Sequence, residues 1–318
     1  MKPMNEDLPT RIRLFLAALL VQLFSWTTPV VAEEAPLALG YFPHWPAPLM
    51  VGIANGELEN MLSVDVNLQH YESSYDMNRA LAEGDLDVAF SHEVVPWLEA
   101  VNKGTDLKVT AIAVSYPDYD YCVIRHQVSP EQIKRIATIR GSVSHFRALK
   151  SLDILGINPN TLDWIFVGDG SSVTKALYRE QTDVGCAYGA PVLRMLERGR
   201  PLVSGADLDS SGLRMFDLVT MSSDFVEDRP QIAREFLKVV SGFNRDYSQD
   251  PRKSRLKMAR ASGLKPANAD VFLEVFQFPN PDQQKSQSWL GSGVPRYFGE
   301  LGQFLADHGK LDQSIDDY

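Results

Sequence analysis

The chain has 318 residues, 44% of them hydrophobic, with a formal net charge of −10 and a pI near 5.1. That length suits two domains of modest size. The acidic balance argues against a nucleic-acid binder, which meets phosphates with a clustered positive face; the nearest basic run, Arg252 to Arg260, is spaced like the solvated face of a helix.

Arg11 and Arg13 precede an apolar run from Leu14 to Phe24, and Val30-Val31-Ala32 sets small residues ahead of Glu33-Glu34. This is the pattern of a secretory signal peptide cleaved after Ala32. The run is shorter than the roughly 20 residues a bilayer span needs, so residues 1–32 predict export to the periplasm rather than a membrane anchor.

From Leu37 onward, short strand-like and helix-like segments alternate, the mark of an α/β protein with mostly parallel sheets. Pro36 to Gly40 leads into a first strand, and Leu49 to Asn55 reads as a helix closed by Gly56. Val64, Val66 and Leu68 alternate as a second strand; Met77 to Ala82 is helical, Gly84 ends it, and Leu86 to Phe90 is a third strand. Glu93 to Val101 reads as a helix and Leu107 to Val114 as a fourth strand.

Turn residues from Tyr116 to Tyr121 then separate two apolar runs and mark a first hinge. A second set of units follows, with strands at Cys122–Ile124, Ile136–Ile139, Leu162–Val167 and Val184–Tyr188. Helices are expected at His145–Leu155, Val173–Arg179 and Val192–Arg198. A return crossing is expected near Ser210 to Asp217, a strand over Leu213–Met221, and an almost entirely helical segment beyond Pro230. The expected organisation is a discontinuous first lobe (33–118 plus 214–318) with a second lobe (119–213) inserted into it. A cleft between such lobes gathers strand C-termini and helix N-termini, where small ligands bind and closure traps them.

Two cysteines, Cys122 and Cys186, fall in strand-like apolar segments without metal-ligand spacing. They read as small buried residues, with a disulfide as the alternative if their Cα atoms approach within ~7 Å. None of the six histidines forms HxxxH or HExxH, and there is no GxSxG elbow or phosphate-cradling glycine loop. No catalytic residue, metal or cofactor is therefore assigned.

Several segments, in order, resemble one family. The run from Tyr75 to Phe90, YDMNRALAEGDLDVAF, followed by Val95-Pro96, resembles a segment of periplasmic solute-binding proteins for taurine and alkanesulfonates. Gly141 to Phe146 (GSVSHF) with Leu155 to Pro159 (LGINP) looks like the family's second-lobe loop, and Thr182 to Tyr188 with Ala190-Pro191 resembles its "GD.DGAY..AP" element. Gln283-Gln284 and Phe304 to Lys310 are similar to the taurine-binding branch. The resemblance spans the chain beyond residue 32 and implies a type II periplasmic-binding fold: two βα lobes, a two-strand hinge and a helical C-terminal segment. It further implies delivery of a small solute to an ABC permease without catalysis, and the protein is expected to be a monomer.

A sulfonate stays ionised at biological pH and suits the free N–H groups of a helix N-terminus. Ser142, Ser144 and His145 stand before a helix in what the resemblance makes the anion-contacting loop, and Ser74 and Tyr75 hold the corresponding place in the first lobe. These serines equally suit helix caps. Asp217, within an apolar run, sits by resemblance where the family's taurine binders hold the ammonium; the alternative is the exposed face of an edge strand. Glu93 departs from the small residue usual there. Either it points away from the cleft, or the ligand is more cationic than taurine. His92 beside it, and the aromatics Tyr41, Trp45 and Tyr188 after strands, complete the expected contacts. Aromatic faces near carboxylates also suit methylated ammonium, so choline- or betaine-like ligands and a thiamine pyrimidine remain alternatives to taurine, and a small-molecule enzyme is the rival of another class.

Overall fold

A computed structural model describes residues 34–117, 121–265, 273–315 and 318. The expected signal peptide at 1–32 and the middle of the first hinge, Asp118 to Asp120, lie outside the described residues.

There are two five-stranded sheets among the described residues. The first has the order β2-β1-β3-β10-β4, built from β1 (Leu37–Tyr41), β2 (Val66–His70), β3 (Val88–Glu93), β4 (Leu107–Ser115) and β10 (Phe216–Ser222). The second has the order β7-β6-β8-β5-β9, built from β5 (Cys122–Arg125), β6 (Arg135–Ile139), β7 (Asp163–Val167), β8 (Val184–Cys186) and β9 (Gly199–Pro201). In each sheet the strand that runs against its neighbours, β10 or β5, is the one the chain enters on arriving from the other sheet. The two crossings are tied together where they leave the first sheet: the Met215 carbonyl accepts from the Tyr116 N–H at 2.9 Å and from the Ser115 hydroxyl at 3.1 Å. This is the two-lobed, twice-crossed α/β architecture expected from the sequence.

The connecting helices are α1 (Pro48–Asn55), α2 (Leu58–Met61), α3 (Ser74–Glu83), α4 (Val94–Asn102), α5 (Val143–Ile154), α6 (Gly170–Tyr178), α7 (Ala190–Met195), α8 (Gly205–Ser210) and α9 (Ser223–Asp228). The C-terminal segment adds α10 (Pro230–Gln249), α11 (Pro251–Ala261), α12 (Pro281–Lys285) and α13 (Gly293–Asp307). Along α10, Ile232, Phe236, Val239, Val240, Phe243 and Tyr247 recur at helical spacing and are buried, which docks one face and leaves the other wet. Gly52 on α1 admits that face, since a Cβ there would stand 2.3 Å from the Phe243 ring.

Several boundaries differ from expectation for local reasons. Helix α3 starts at Ser74, three residues before the expected Met77, because the Ser73 side chain caps it by accepting from the Tyr75 N–H. Glu93 closes β3 instead of opening a helix, and β8 stops at Cys186 rather than Tyr188. The C-terminal segment is less helical than expected: Gln277 pairs with Ser115 as an extra bridge on the first sheet. Gln284 reaches back to the same strand, accepting from the Ile112 N–H at 2.7 Å. The preference for Cys122 and Cys186 as free buried residues is corrected: they lie directly opposite each other in β5 and β8 and form a disulfide.

Candidate functional site

The parallel strands β1, β2 and β3 end at Tyr41, His70 and Glu93, and antiparallel β10 begins at that same end with Phe216-Asp217. Asp217 is directly opposite Glu93, and is only 2% exposed while Glu93 is open to solvent. A buried carboxylate without polar contacts is costly; here the Tyr116 hydroxyl donates to Asp217 Oδ1 at 2.7 Å. Tyr116 belongs to an aromatic group with Trp45 and Phe276, whose ring centroids are 5.3 to 5.9 Å apart. Tyr41 packs half-buried against the same core. A carboxylate beside aromatic rings is chemically suited to an ammonium.

Glu93 stands at the N-cap position of α4 without bonding it through its side chain, so its charge meets the positive end of a helix. The Glu93 backbone N–H donates to the Ser74 hydroxyl at 3.2 Å, which ties α3 to the strand end. Tyr75 is 52% exposed and its hydroxyl donates to Glu99 at 3.0 Å. Partial burial, with Glu99 and Glu93 nearby, pushes this phenol up to about 12. His92 is fully buried with no hydrogen-bond partner for either ring nitrogen among the described residues, and burial pushes it down to about 3. It sits opposite Leu218 in β10. The residue before it, Ser91, has φ 61 at the bulge where the β3–β10 register shifts, a backbone state uncommon outside glycine. Nothing in the residue type announced that bulge.

In the second sheet, β6 runs through Gly141 into α5. The Ser142 side chain caps this helix by accepting from the His145 N–H at 3.3 Å, and its own proton goes to the Ile139 carbonyl at 2.7 Å. The Ser144 hydroxyl, 2.9 Å from Ser142 Oγ, is then the donor of that pair. The caps and the expected anion loop are thus the same residues. His145 Nδ1 accepts from the Gly141 N–H at 3.2 Å, so its ring proton sits on Nε2. The ring is buried among Trp164, Phe166, Phe304 and His308, with centroids 5.0 to 5.2 Å away. Burial first, then the neighbouring His308 and Arg140, bring it down to about 4, which keeps it neutral at physiological pH.

Two residues further along α5, Arg147 is buried at 1% exposure. Sequence reasoning passed over it, although a basic residue two positions beyond His145 on the first turns of that helix was a readable signal. Tyr188 lies 55% exposed between the disulfide-bonded end of β8 and the start of α7. The structure therefore brings Tyr41, Trp45, Glu93 and Asp217 to one end of the first sheet. Ser142, Ser144 and Tyr188 stand at the corresponding strand ends of the second. Among the described residues there is no group of three or more metal-ligating side chains, and no helix is long and apolar enough to cross a membrane.

Two sheets, twice-crossed, with capped helix N-termini and strand ends gathered at the crossings, define the class: the periplasmic-binding fold. No protein-family model matches the chain. In sequence it is similar to the taurine-binding periplasmic protein of Escherichia coli K12, 24% identical over 281 residues that cover 85% of this chain and 86% of that protein. In structure it matches the periplasmic aliphatic sulphonate binding protein of Escherichia coli, with TM-score 0.66 and 16% identity over 89% of this chain and 96% of the other. It also matches the alkanesulfonate-binding protein of Xanthomonas axonopodis pv. citri bound to MOPS, with TM-score 0.60 and 18% identity over 88% and 96%. The resemblance seen in the sequence motifs is matched by both relatives and fold.

Proposed function

We propose that this protein is the extracytoplasmic solute-binding component of an ABC importer, capturing a small zwitterionic aminosulfonate, taurine foremost, between its lobes without catalysis. The observation that carries the reading is Asp217: a buried carboxylate at the cleft end of the first sheet, held by Tyr116 beside aromatic rings. It supplies the cation partner for the amine. The capped N-terminus of α5, with Ser142 and Ser144, supplies donors for the sulfonate. The similarity to a taurine-binding periplasmic protein supports the same assignment. In this reading the lobes are 33–118 with 214–318 and 119–213, residues 1–32 direct export to the periplasm, and the protein acts as a monomer.

Within it Tyr41, Trp45 and Tyr188 wall the ligand, and Ser74 and Tyr75 border it from α3. His145 acts chiefly by shaping the loop through Gly141, and His92 by filling the strand end beneath Glu93. Glu93, exposed opposite Asp217, favours a second reading in which a choline- or betaine-like cation takes the site.

Calorimetry on mature protein, unfolded and refolded to strip carried-over ligand, distinguishes them. Taurine binding at micromolar affinity or better, with weak response to ethanesulfonate, is expected. A response to choline or betaine with silence toward sulfonates overturns the aminosulfonate assignment. Taurine has about seven heavy atoms, so at about −1.5 kcal/mol per atom its affinity stops near tens of nanomolar; tighter binding would demand a larger ligand.

A further inference from the structure

Among the sequence motifs, the stretch from Phe304 to Lys310 has no place in the site described so far. It ends α13, and that helix is held on two sides. Toward the first sheet, the Phe298 ring centroid lies 4.7 Å from that of Trp97 on α4, and Tyr297 lies 5.6 Å from Phe216 of β10. Toward the second, Tyr297, Glu300 and Phe304 fall at helical spacing and meet α5. Phe304 stands 5.2 Å and Tyr297 6.3 Å from the Phe146 ring, and Glu300 pairs with Lys150. Having crossed back to the first sheet at β10, the chain thus touches the second lobe again through α13.

The tip of this helix rests on the loop that carries Ser142 and Ser144. His308 donates from Nδ1 to the Phe304 carbonyl at 2.8 Å, which caps the last turn and fixes the ring proton on Nδ1. The His308 ring meets that of His145 edge to face, with centroids 5.0 Å apart and planes at 87°, an arrangement that aromatic rings favour. His145 in turn takes the Gly141 N–H on its Nδ1. Gly141, at φ 65, is approached by the same segment: a Cβ there would stand 3.1 Å from Lys310 Cε and 3.3 Å from His308 Cβ. An unbroken set of contacts therefore runs from α13 through His308 and His145 to the turn that presents the two serines.

We propose that His308 is a positioning residue for the anion end of the ligand. Its ring braces the His145 imidazole, which keeps the Gly141 N–H engaged and holds Ser142, Ser144 and the first turn of α5 ready for a sulfonate. His308 takes this role within the aminosulfonate reading proposed above, on which it rests. Donors fixed before the ligand arrives bind it more tightly than donors that must be ordered on binding, and supporting contacts of this kind set that precision. Two parts of one ring do separate work here. Nδ1 caps α13, and the rest of the ring braces His145.

Two substitutions separate these parts. His308→Asn sets an amide nitrogen where Nδ1 stands and loses the remainder of the ring, whereas His308→Phe keeps a ring and loses the donor. The mature protein and both variants are titrated by calorimetry with taurine and with ethanesulfonate, melted in urea, and followed by hydrogen exchange at the Gly141 amide without ligand. His308→Asn is expected to melt like the parent, to bind both ligands about fivefold more weakly and to exchange Gly141 about fivefold faster. His308→Phe is expected to melt at lower urea, with affinity and exchange within about twofold of the parent. The reverse pattern, His308→Asn keeping affinity and His308→Phe losing it, makes His308 a helix cap alone and overturns the proposal. So does parental behaviour of both variants, or a loss confined to taurine, which would put the contact at the amine end. Should the parent protein bind neither ligand, the aminosulfonate reading falls, while Gly141 exchange still decides whether His308 positions the loop.

Discussion

Glu93 and Asp217 face each other across the β3–β10 pair, one exposed at the N-terminus of α4 and the other buried against Tyr116. Directly opposed residues have Cβ atoms about 5 Å apart, and like charges so placed repel by up to about 1 kcal/mol. A cation arriving between them relieves that repulsion, and the buried member gives it the stronger contact because water screens it less. Asp217→Asn is therefore expected to weaken taurine binding about tenfold to a hundredfold, the worth of a hydrogen bond to a charged group. Binding of ethanesulfonate, which lacks the amine, should change by less than about threefold. Glu93→Gln should cost taurine less than about fivefold, since an exposed charge contributes at most about 1 kcal/mol. Paired calorimetric titrations decide it, and equal losses for both ligands in Asp217→Asn would remove the ammonium role.

The anion end should behave in the opposite way. The Ser144 proton is lent to Ser142 in the structure, and turning it toward a sulfonate costs only that exchange. Ser144→Ala is expected to weaken taurine and ethanesulfonate alike, by about fivefold for a net hydrogen bond near 1 kcal/mol. Ser142→Ala removes the cap as well, so it should also lower stability by about 1 kcal/mol in urea unfolding. A Ser144→Ala effect confined to taurine would place this loop at the amine instead.

The alternation of strands and helices was legible because strands such as Val66–His70 and helices such as α10 carry their own period. The caps were legible for the same local reason. What escaped depends on partners distant in sequence. Opposing Cys122 to Cys186 needs the β5–β8 register, a pairing across 64 residues. β9 is a short edge strand with Pro201 in it, too brief to show alternation. Phe276 joins Trp45 and Tyr116 only through the bridge from Gln277 to Ser115, in a stretch whose apolar residues also fit a helix. Residues such as His145 were visible as chemistry but not as orientation, since its ring is captured by Trp164, Phe166 and Phe304 from elsewhere in the chain.

The two buried imidazoles predict acid sensitivity. His92 is held down to about 3 by burial, and His145 to about 4 by burial with His308 and Arg140 adding positive charge. Lys310, close to Gly141, adds another cation near the His145 loop. Unfolded histidine takes up its proton near pH 6.5, so between pH 6.5 and about 4 the unfolded chain binds protons that the folded chain refuses. Stability should fall as pH drops through that window, by on the order of 2–3 kcal/mol for His145 once pH reaches 4. His145→Gln, whose amide oxygen can still accept from Gly141, should show a shallower decline in urea midpoint from pH 6.5 to 4. An unchanged slope would mean that the ring protonates in the folded state.

The disulfide makes the last prediction, because both sulfurs belong to residues almost wholly out of solvent while their strands pair directly. A bridge spanning 64 residues limits the unfolded chain by up to about 4 kcal/mol in the loop-closure account. Replacing both cysteines with alanine is expected to lower stability by about 2–4 kcal/mol. Taurine affinity should move by less than about threefold, since β8 still pairs with both β5 and β6. Reductant alone should act slowly on the native protein, the sulfurs being shielded, and quickly once urea opens the second lobe. Urea melts with and without reductant, with thiol labelling along the transition, give the answer: two thiols labelled in the urea-unfolded protein without reductant would show that Cys122 and Cys186 do not pair.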